Sequence, residues 1–538
     1  MKRKLWHSLV LFILVIMLMT GCNIGNDTTQ DQKEETPKLM TPEEGGEIFL
    51  PVIQFTTLNP IVNENQSVYF LNQLIFEGLL ALDNSQKAQP SLATGWNVSY
   101  DGNEILFDLR DDVTWHDGKP FTAEDVEFTI ETLRSNSETN NKSIYSYFLQ
   151  SVKEVEVINN SQISIRFDSP LQNQLEVFTF PIIAKHQFEN IENAYQALNI
   201  IPVGTGPFEV ESVDRHNEIR LVKNNDYWGT KPYLHRVTAK IVPDQGAVLT
   251  SVFSDKIDVA QARDYDWKKF AGDRTIKKIE YVTQEYEFLG FNFNNNLLSD
   301  NNIRKAIALG MDRHKITEEV YLGHATVTDV PVHPNSFLFS QEAQTLGYDP
   351  VKAKEYLANS NWINRNNDEW LENEIGDRLT INLLVNNNNL QRVKTADLMA
   401  QQLKNIGIEV FIENVNWEEY ESRLYNNNFD VILGGWKLSL IPDLRTILHS
   451  SFINSSNFIN YSNPVMDQLL DEAALAKDQD IRVEKYHKIQ QEFVRDLPYF
   501  SLFYRNSSLI VKNHIKGSIS PNYYNIYHGL AGWYVNEK

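Results

Sequence analysis

The chain has 538 residues, of which 49 are Lys or Arg and 71 are Asp or Glu, so its formal net charge is −22. This acidic balance argues against nucleic acid as a partner, because phosphate binding needs clustered basic residues. An apolar fraction of 42% is typical of a folded globular chain, and the single cysteine excludes an internal disulfide and a cysteine-rich zinc site.

The N-terminus has the pattern of a lipoprotein signal peptide over 1–21. A basic start precedes an apolar run over 9–19, which is too short to span a membrane but has the length of a signal-peptide core. The order Leu-Met-Thr-Gly before Cys22 resembles the lipobox of bacterial lipoproteins, except that Met19 stands where leucine is usual. We therefore expect lipidation of Cys22, followed by a flexible polar tether over 22–45 that holds the protein on the extracellular face of the cell membrane.

Beyond the tether, strand-like and helix-like patterns alternate, which predicts an α/β protein. Thr122 can cap one of the helices, with Asp125 at its third position. The patterns predict strands over 47–52 and 105–110, a helix over 68–80, a helix that begins after Thr122, a hairpin of 152–157 and 162–167, a strand–helix–strand unit over 379–385, 393–406 and 408–412, and a buried strand over 431–436. The strand–helix–strand unit is typical of a parallel sheet.

The chain carries none of the common catalytic signatures. It has no Gly-x-Ser-x-Gly, His-Glu-x-x-His, phosphate-loop or dinucleotide-binding motif. The glycines of 204–207 lack the lysine of a phosphate loop, so we interpret them as a backbone turn, and we interpret His116 beside Asp117 as a histidine in a turn. We therefore expect no catalytic residue, no cofactor and no metal site.

Five groups of segments then follow in a fixed order. They are Phe-Glu-Gly-Leu-Leu at 76–80 with Ala-Thr-Gly-Trp at 93–96, the stretch 107–126, Gly-Thr-Gly-Pro-Phe at 204–208 with Asn-Asp-Tyr-Trp-Gly at 225–229, Ile-Arg-Lys-Ala-Ile-Ala at 303–308 with Met-Asp-Arg at 311–313, and Gly-Trp at 435–436. Together they resemble the family-5 extracellular solute-binding proteins, which are the oligopeptide, dipeptide, nickel and related receptors of ABC importers. Within that family, the segments 433–436, 441–443 and 447–451 are most similar to the App-type oligopeptide-binding lipoproteins of Gram-positive bacteria.

The resemblance implies a two-lobed α/β fold of the periplasmic-binding-protein type II, in its large three-subdomain form, with a hinge. Lobe I would comprise 46–90, 205–285 and 505–538, its inserted subdomain 91–204, and lobe II 286–504, so the chain would cross the hinge near 285 and 505. The resemblance also implies a monomeric receptor that captures an oligopeptide between the lobes and delivers it to an ABC permease. A receptor of the same family for a metal chelate or an oligosaccharide is the alternative, and a cell-surface hydrolase is the alternative of a different class.

A receptor that accepts many peptides has to bind the main chain, and a strand edge does so by adding the ligand as a further strand. Gly434 and Gly435 would allow a close approach at the end of a buried strand. The resemblance places the ligand-pairing strand there, with Trp436 covering a side-chain pocket and Lys437 in the same ligand-binding segment. On this hypothesis a valine at Gly435 would block binding and leave the fold intact.

Related oligopeptide receptors often hold the ligand ammonium with an aspartate three residues after that tryptophan, but this chain has Ser439 there. Either Asp443, Glu64 or another acid replaces it, or the ligand N-terminus extends past the site. The resemblance also places Glu64 and Gln66 on a segment of lobe I that faces the ligand, and Tyr145 is a candidate from the inserted subdomain. An ordinary surface or packing role is the alternative for these last three residues.

Overall fold

A computed structural model describes residues 42–135, 143–170, 175–344, 347–439 and 443–536. The predicted signal peptide, Cys22 and the tether up to residue 41 lie outside the described residues, so the lipoprotein hypothesis stays a prediction. Among the helices within the described ranges, none combines the length and the apolar character that crossing a bilayer requires.

Strands and helices alternate along the described chain. The strands are β1 Glu47–Ile53, β2 Leu80–Leu82, β3 Ala88–Pro90, β4 Ala93–Val98, β5 Glu104–Leu109, β6 Val152–Asn159, β7 Gln162–Phe167, β8 Phe208–Asp214, β9 Glu218–Lys223, β10 Arg236–Val242, β11 Val259–Arg263, β12 Ile276–Phe291, β13 Ala325–Val327, β14 Thr380–Asn386, β15 Glu409–Val415, β16 Val431–Lys437, β17 Tyr499–Lys512, β18 Ile515–Lys516 and β19 Tyr534–Val535. The α-helices are α1 Gln66–Asn72, α2 Ala123–Ser135, α3 Ile191–Gln196, α4 Gln245–Phe253, α5 Asn296–Ser299, α6 Asn301–Leu309, α7 Arg313–Tyr321, α8 Pro350–Asn359, α9 Leu390–Lys404, α10 Trp417–Tyr425, α11 Arg445–Leu448, α12 Pro464–Ala474 and α13 Gln479–Asp496. Short 3-10 helices lie at Ser146–Leu149, Leu175–Thr179, Lys185–Gln187, Asp264–Phe270, Ser450–Phe452 and Leu530–Gly532.

The strands pair into several sheets. One four-stranded sheet has the order β1-β10-β9-β8, and a second, antiparallel one has the order β4-β5-β7-β6. The largest sheet has the order β11-β17-β12-β16-β14-β15, with β13 paired to β17. In it β14 runs parallel to both β15 and β16, whereas β12 is antiparallel to its two neighbours.

The two long strands β12 and β17 take part in separate hydrophobic cores. The first half of β12 and the second half of β17 contribute Tyr281 and Leu509 to a core that also contains the apolar faces of both four-stranded sheets. The other halves contribute Phe288 and Tyr499 to a second core that contains residues of α12 and α13. They contribute Leu289 to a third core, which is built with α6, α8 and α9. The β12–β17 pair therefore joins two bodies, one that contains the first core and one that contains the second and third cores.

The pairing of β12 with β17 is interrupted between these bodies. The register shifts after Val282 and recovers at Tyr286, so residues 283–285 lie opposite Arg505 alone. Thr283 Oγ1 donates a hydrogen bond to the Arg505 carbonyl oxygen over 2.8 Å. Extra residues of this kind bend a strand and increase its twist. We call residues 283–285 the β12 bulge; the hinge crossings predicted near 285 and 505 fall at this point, and the lobe boundaries stay a prediction.

Several local predictions agree with the structure, and one does not. The strand–helix–strand unit is present as β14, α9 and β15, and β14 and β15 pair in parallel. The helix predicted over 68–80 is wrong beyond residue 72, where α1 ends. The main chain beyond it bonds to other segments instead, since Gly206 N donates to the Ile75 carbonyl and Ile182 N to the Glu77 carbonyl, each over 2.9 Å. These tertiary hydrogen bonds outweigh the helical periodicity of the segment.

Several segments that carry the family resemblance meet at Glu77. Its carboxylate accepts hydrogen bonds from Tyr227 Oη over 2.8 Å and from Trp228 Nε1 and Thr205 Oγ1 over 2.9 Å each. The Arg110 guanidinium lies 4.0 Å from the centre of the Trp228 ring. Loss of hydration raises the pKa of Glu77 to about 7, although these hydrogen bonds act in the opposite direction. The motif residues therefore tie distant segments of the framework together.

Candidate ligand-binding cleft

A cavity of about 840 Å³ lies at the end of β16. It is lined by residues 436–439, by one side of α10, by the segment 443–447, and by aromatic residues near the C-terminus that include Tyr504 and Tyr523. His333, which is buried in its wall, has its pKa lowered to about 4 because burial disfavours the charged ring. We call this space the first cavity.

A second cavity of about 650 Å³ adjoins the first. It is lined by residues 63–66 at the start of α1, by Tyr145, by the β12 bulge and by residues 505–507 of β17. Gln284, Lys437 and Tyr523 line both cavities. The two cavities therefore meet at these three residues, and we call the pair of cavities the cleft.

One edge of β16 is unpaired where the strand reaches the cleft. Leu438 N donates to the Gln284 carbonyl oxygen over 3.1 Å. Because hydrogen-bonded positions alternate along an antiparallel pair, Gly435 and Lys437 direct their N–H and C=O groups away from β12. On that other side, β14 pairs with β16 only at residues 431–432. Within the described ranges, no strand pairs with this edge beyond residue 432.

Gly434 and Gly435 are needed for packing behind the strand. A Cβ atom on Gly434 would lie 3.0 Å from Tyr420 Oη, and one on Gly435 would lie 2.3 Å from Arg392 Nη2. Arg392 is held there by a buried ion pair with Glu287, with Nε 2.8 Å from Oε2. A valine at Gly435 would therefore disturb this ion pair as well as the strand edge, so its effect on the fold stays to be tested together with its effect on binding.

Trp436 joins an aromatic cluster to the first cavity. The centre of its ring lies 4.0 Å from that of Phe288, 5.0 Å from that of Tyr499 and 6.0 Å from that of Phe458. Phe288 and Tyr499 are buried, whereas Trp436 is partly exposed and lines the first cavity. The cluster fixes the position of the indole, so the ring offers a rigid apolar wall to a ligand.

The two residues considered for the ligand ammonium differ in their surroundings. Ser439 is exposed and lines the first cavity, as does Asp443. The Asp443 carboxylate is already paired, since Arg445 Nε donates to its Oδ1 over 2.9 Å, and this hydrogen bonding raises the pKa of Arg445. To hold a ligand ammonium, the Asp443 carboxylate would thus have to interact with the ammonium and with Arg445 at the same time.

The three candidates from the other side of the cleft all line the second cavity. Glu64 and Gln66 are exposed, and no ion pair joins Glu64 to a basic side chain in the described part of the chain. Both positions are set by α1, which begins after the capping residue Asn65, whose side chain accepts from Ser67 N over 2.9 Å. Tyr145 is half-buried, and burial raises its pKa.

Several residues that line the cleft were not predicted from the sequence. Trp417, Glu421 and Leu424 of α10 have helical spacing on one face, and Trp417 is 47% exposed. The helical spacing of these three residues was the signal that the sequence offered for this wall. Gln284 and Arg263 had no such signal, because their positions depend on the β12 bulge and on the pairing of β11 with β17. In the described ranges, no group of three or more His, Cys, Asp or Glu side chains could hold a metal ion.

Comparisons with known proteins agree with this architecture. Residues 87–457, which are more than half of the chain, match the family model for bacterial extracellular solute-binding proteins, family 5 Middle. The oligopeptide-binding protein AppA of Bacillus subtilis is 27% identical over 534 residues, which cover 96% of each chain. Heme-binding protein A of Haemophilus influenzae is 26% identical over 497 residues, which cover 88% of this chain and 89% of the relative.

The fold is also similar to that of a known structure. The structure of AppA from Bacillus subtilis in complex with a nonapeptide matches with a TM-score of 0.61 at 25% identity, and the match covers 92% of this chain and 100% of that one. The two-lobed α/β fold predicted from the sequence is confirmed by this similarity. The chain belongs to the family 5 bacterial extracellular solute-binding proteins.

Proposed function

We propose that this protein is a lipid-anchored extracellular receptor that captures oligopeptides between its two lobes and delivers them to the permease of an ABC importer. The observation that carries the proposal is the unpaired edge of β16 in the cleft wall. A ligand main chain can pair there with Lys437 as an added strand. Gly435 lines neither cavity, so a ligand would have to extend along the strand edge beyond the cavities to pair with it. Such pairing uses groups that every peptide has, so it accounts for binding of many sequences.

The size of the cleft supports a chain-like ligand. Sites for single small molecules typically enclose about 300–1,000 Å³, and each of the two cavities falls in that range by itself. Because they share part of their walls, a ligand that fills both has to extend from one into the other. An extended peptide has this shape, and the relative AppA has been seen with nine residues bound.

Family membership supports a role in solute binding, and we propose that the protein has no enzymatic activity and acts as a monomer. Attachment through Cys22 would keep the cleft close to the importer. A different solute is the second candidate, because a relative of nearly full length is named for heme. The aromatic wall at Trp436 and Tyr523 suits a planar ligand as well as peptide side chains.

Identification of the bound solute tests the proposal. The protein without its signal peptide would be purified from cells, and any ligand that copurifies would be released and identified by mass spectrometry. A pool of peptides of two to twelve residues would then be added to ligand-free protein. We expect a stabilisation of about 2.7 kcal/mol at a hundredfold excess over Kd and a smaller radius of gyration in X-ray scattering as the lobes close.

A matched pair of tryptophan variants separates the cleft from the rest of the surface. Trp436→Ala should weaken peptide binding by about 2–4 kcal/mol, as expected for a buried aromatic contact. Trp370→Ala removes a tryptophan that lines neither cavity and should leave binding unchanged. Unchanged melting and scattering across the whole pool would contradict the peptide proposal, and copurified heme or another solute would favour the second candidate.

A further inference from the structure

The charged side chains of the cleft are partly neutralised by one another. The described residues that line its two cavities include four acids and four bases, namely Glu64, Glu285, Glu421, Asp443, Arg263, Lys437, Arg445 and Arg505. Arg505 pairs with Glu285, with Nη1 3.2 Å from Oε2, and Arg445 pairs with Asp443. Because these two ion pairs are formed, fewer charged side chains of the cleft are left to interact with a ligand.

Lys437 is the base that belongs to both cavities. Its side chain is exposed in the cleft, and no salt bridge or hydrogen bond joins its ammonium to any described residue. The nearest carboxylate along the strand pair is that of Glu285, which lies opposite Lys437 in the register. Glu285 is occupied by Arg505 instead. The other acids of the cleft, Glu421 and Glu64, line one cavity each.

The main chain at Lys437 is held from both sides. Leu438 N bonds to the Gln284 carbonyl, and Trp436 is packed into its aromatic cluster. The Lys437 side chain therefore starts from a fixed point at the junction of the cavities, and its ammonium has no charged partner among the residues that the structure describes. An ammonium in a partly dehydrated cleft interacts more strongly with a carboxylate than one on an open surface does.

We propose that Lys437 is a specificity-determining residue that binds a carboxylate side chain, Asp or Glu, in the middle of the peptide. This inference rests on the proposed function. The carboxylate that Lys437 binds is expected to belong to a side chain and not to the C-terminus of the peptide. A peptide that ended at the junction, beside Lys437, would leave one of the two cavities empty. A peptide that fills both cavities passes Lys437 with an internal residue.

The net charge of −22 acts against acidic ligands only at a distance. At physiological ionic strength, exposed charges are screened beyond about 8 Å. Within the cleft the local arrangement decides, and there Lys437, which has no partner in the described part of the chain, is the base that lines both cavities. The inference is thus a preference for one acidic residue at this position of the peptide, despite the acidic surface of the protein.

A series of nonapeptides with one glutamate at successive positions tests the inference. Each peptide would be compared by calorimetry with its glutamine counterpart and with a form amidated at the C-terminus. We expect one internal position at which glutamate binds at least tenfold more tightly than glutamine. The preference should fall below twofold in Lys437→Met, reverse in Lys437→Glu, and persist in Lys437→Arg, which keeps the charge.

Lys256→Met is the matched control, because Lys256 is an exposed lysine that lines neither cavity and should keep the full preference. A preference that survives in Lys437→Met would assign the carboxylate to another base such as Arg263 and overturn the inference. A preference that depends only on C-terminal amidation would also overturn it. If the peptides bind with no preference for glutamate, the inference fails alone; if none of them binds to the wild type, the proposed function fails as well.

Discussion

Replacing Gly435 by alanine is expected to destabilise the protein, because the strand has no room for one additional carbon. The Cβ atom would lie 2.3 Å from Arg392 Nη2, 2.9 Å from the Tyr286 carbonyl oxygen and 3.0 Å from Glu287 Cδ. Tyr286 and Glu287 belong to β12, which pairs with β16 along this stretch. Since the paired strands cannot separate without loss of hydrogen bonds, the Arg392 guanidinium has to move.

The magnitude follows from the ion pair that this movement breaks. Arg392 donates to Glu287 through Nε over 2.8 Å and through Nη2 over 3.2 Å. The Glu287 side chain is only 4% exposed, so water cannot replace the lost partner. Removing one partner of a buried pair typically costs about 3–5 kcal/mol. That loss is a large part of the 5–15 kcal/mol by which proteins are usually stable.

Urea unfolding of the ligand-free protein, followed by circular dichroism, measures the effect. Gly95→Ala is the control, because no atom lies within 4 Å of the added carbon, and it should change the unfolding free energy by less than about 0.5 kcal/mol. Gly434→Ala meets Tyr420 Oη at 3.0 Å and should lose about 1–3 kcal/mol. If Gly435→Ala unfolds at the same urea concentration as Gly95→Ala, the argument from the ion pair is wrong.

Two further predictions concern Glu77 and Cys22. In the folded protein Glu77 keeps its proton up to a pKa of about 7, whereas the unfolded chain releases it near 4.5. As the pH is raised from 5 to 8, the free energy of unfolding of the wild type should therefore fall by about 1–3 kcal/mol more than that of Glu77→Gln. The stabilisation by protonated Glu77 is present at low pH and is lost as the pH rises. Thermal unfolding at several pH values measures it. Parallel pH profiles of stability for the two proteins would contradict the prediction. Cys22→Ala should leave the protein uncleaved or released from cells, and a processed, lipid-labelled form of this variant in the membrane fraction would disprove the lipobox hypothesis.

The sequence allowed good predictions where local pattern decides the structure. The period-2 and period-3.6 patterns were sufficient for β14, α9 and β15, and the buried run over 431–436 corresponds to β16. Trp436 and Lys437 do line the cleft because they end that strand. In contrast, the extent of α1 was overestimated, since the hydrogen bond from Gly206 to Ile75 depends on a segment about 130 residues away in the chain.

The packing partners of the glycines could not be predicted either. The pattern Gly-Gly-Trp shows that residues 434 and 435 have no side chains, but it does not show which neighbouring groups occupy the space beside them. Here Tyr420 and Arg392 fill it, and both come from helices before the strand. Asp443 and Arg445 are close in the sequence, but the sequence does not show whether their side chains pair with each other or face a ligand. That depends on the other residues that line the first cavity with them.

The hinge predicted near 285 and 505 would place ligand contact and lobe movement at the same residues, those of the β12 bulge. Residues 283–285 line the second cavity, and they also interrupt the strand pair that joins the two bodies. With the hinge at this position, a solute that touches Gln284 would act on the twist of this strand pair directly. Affinity then includes the equilibrium between open and closed forms, and a substitution at Gln284 that favours the open form would weaken every ligand by the same factor. Selectivity among ligands would be left to the cavity walls on either side.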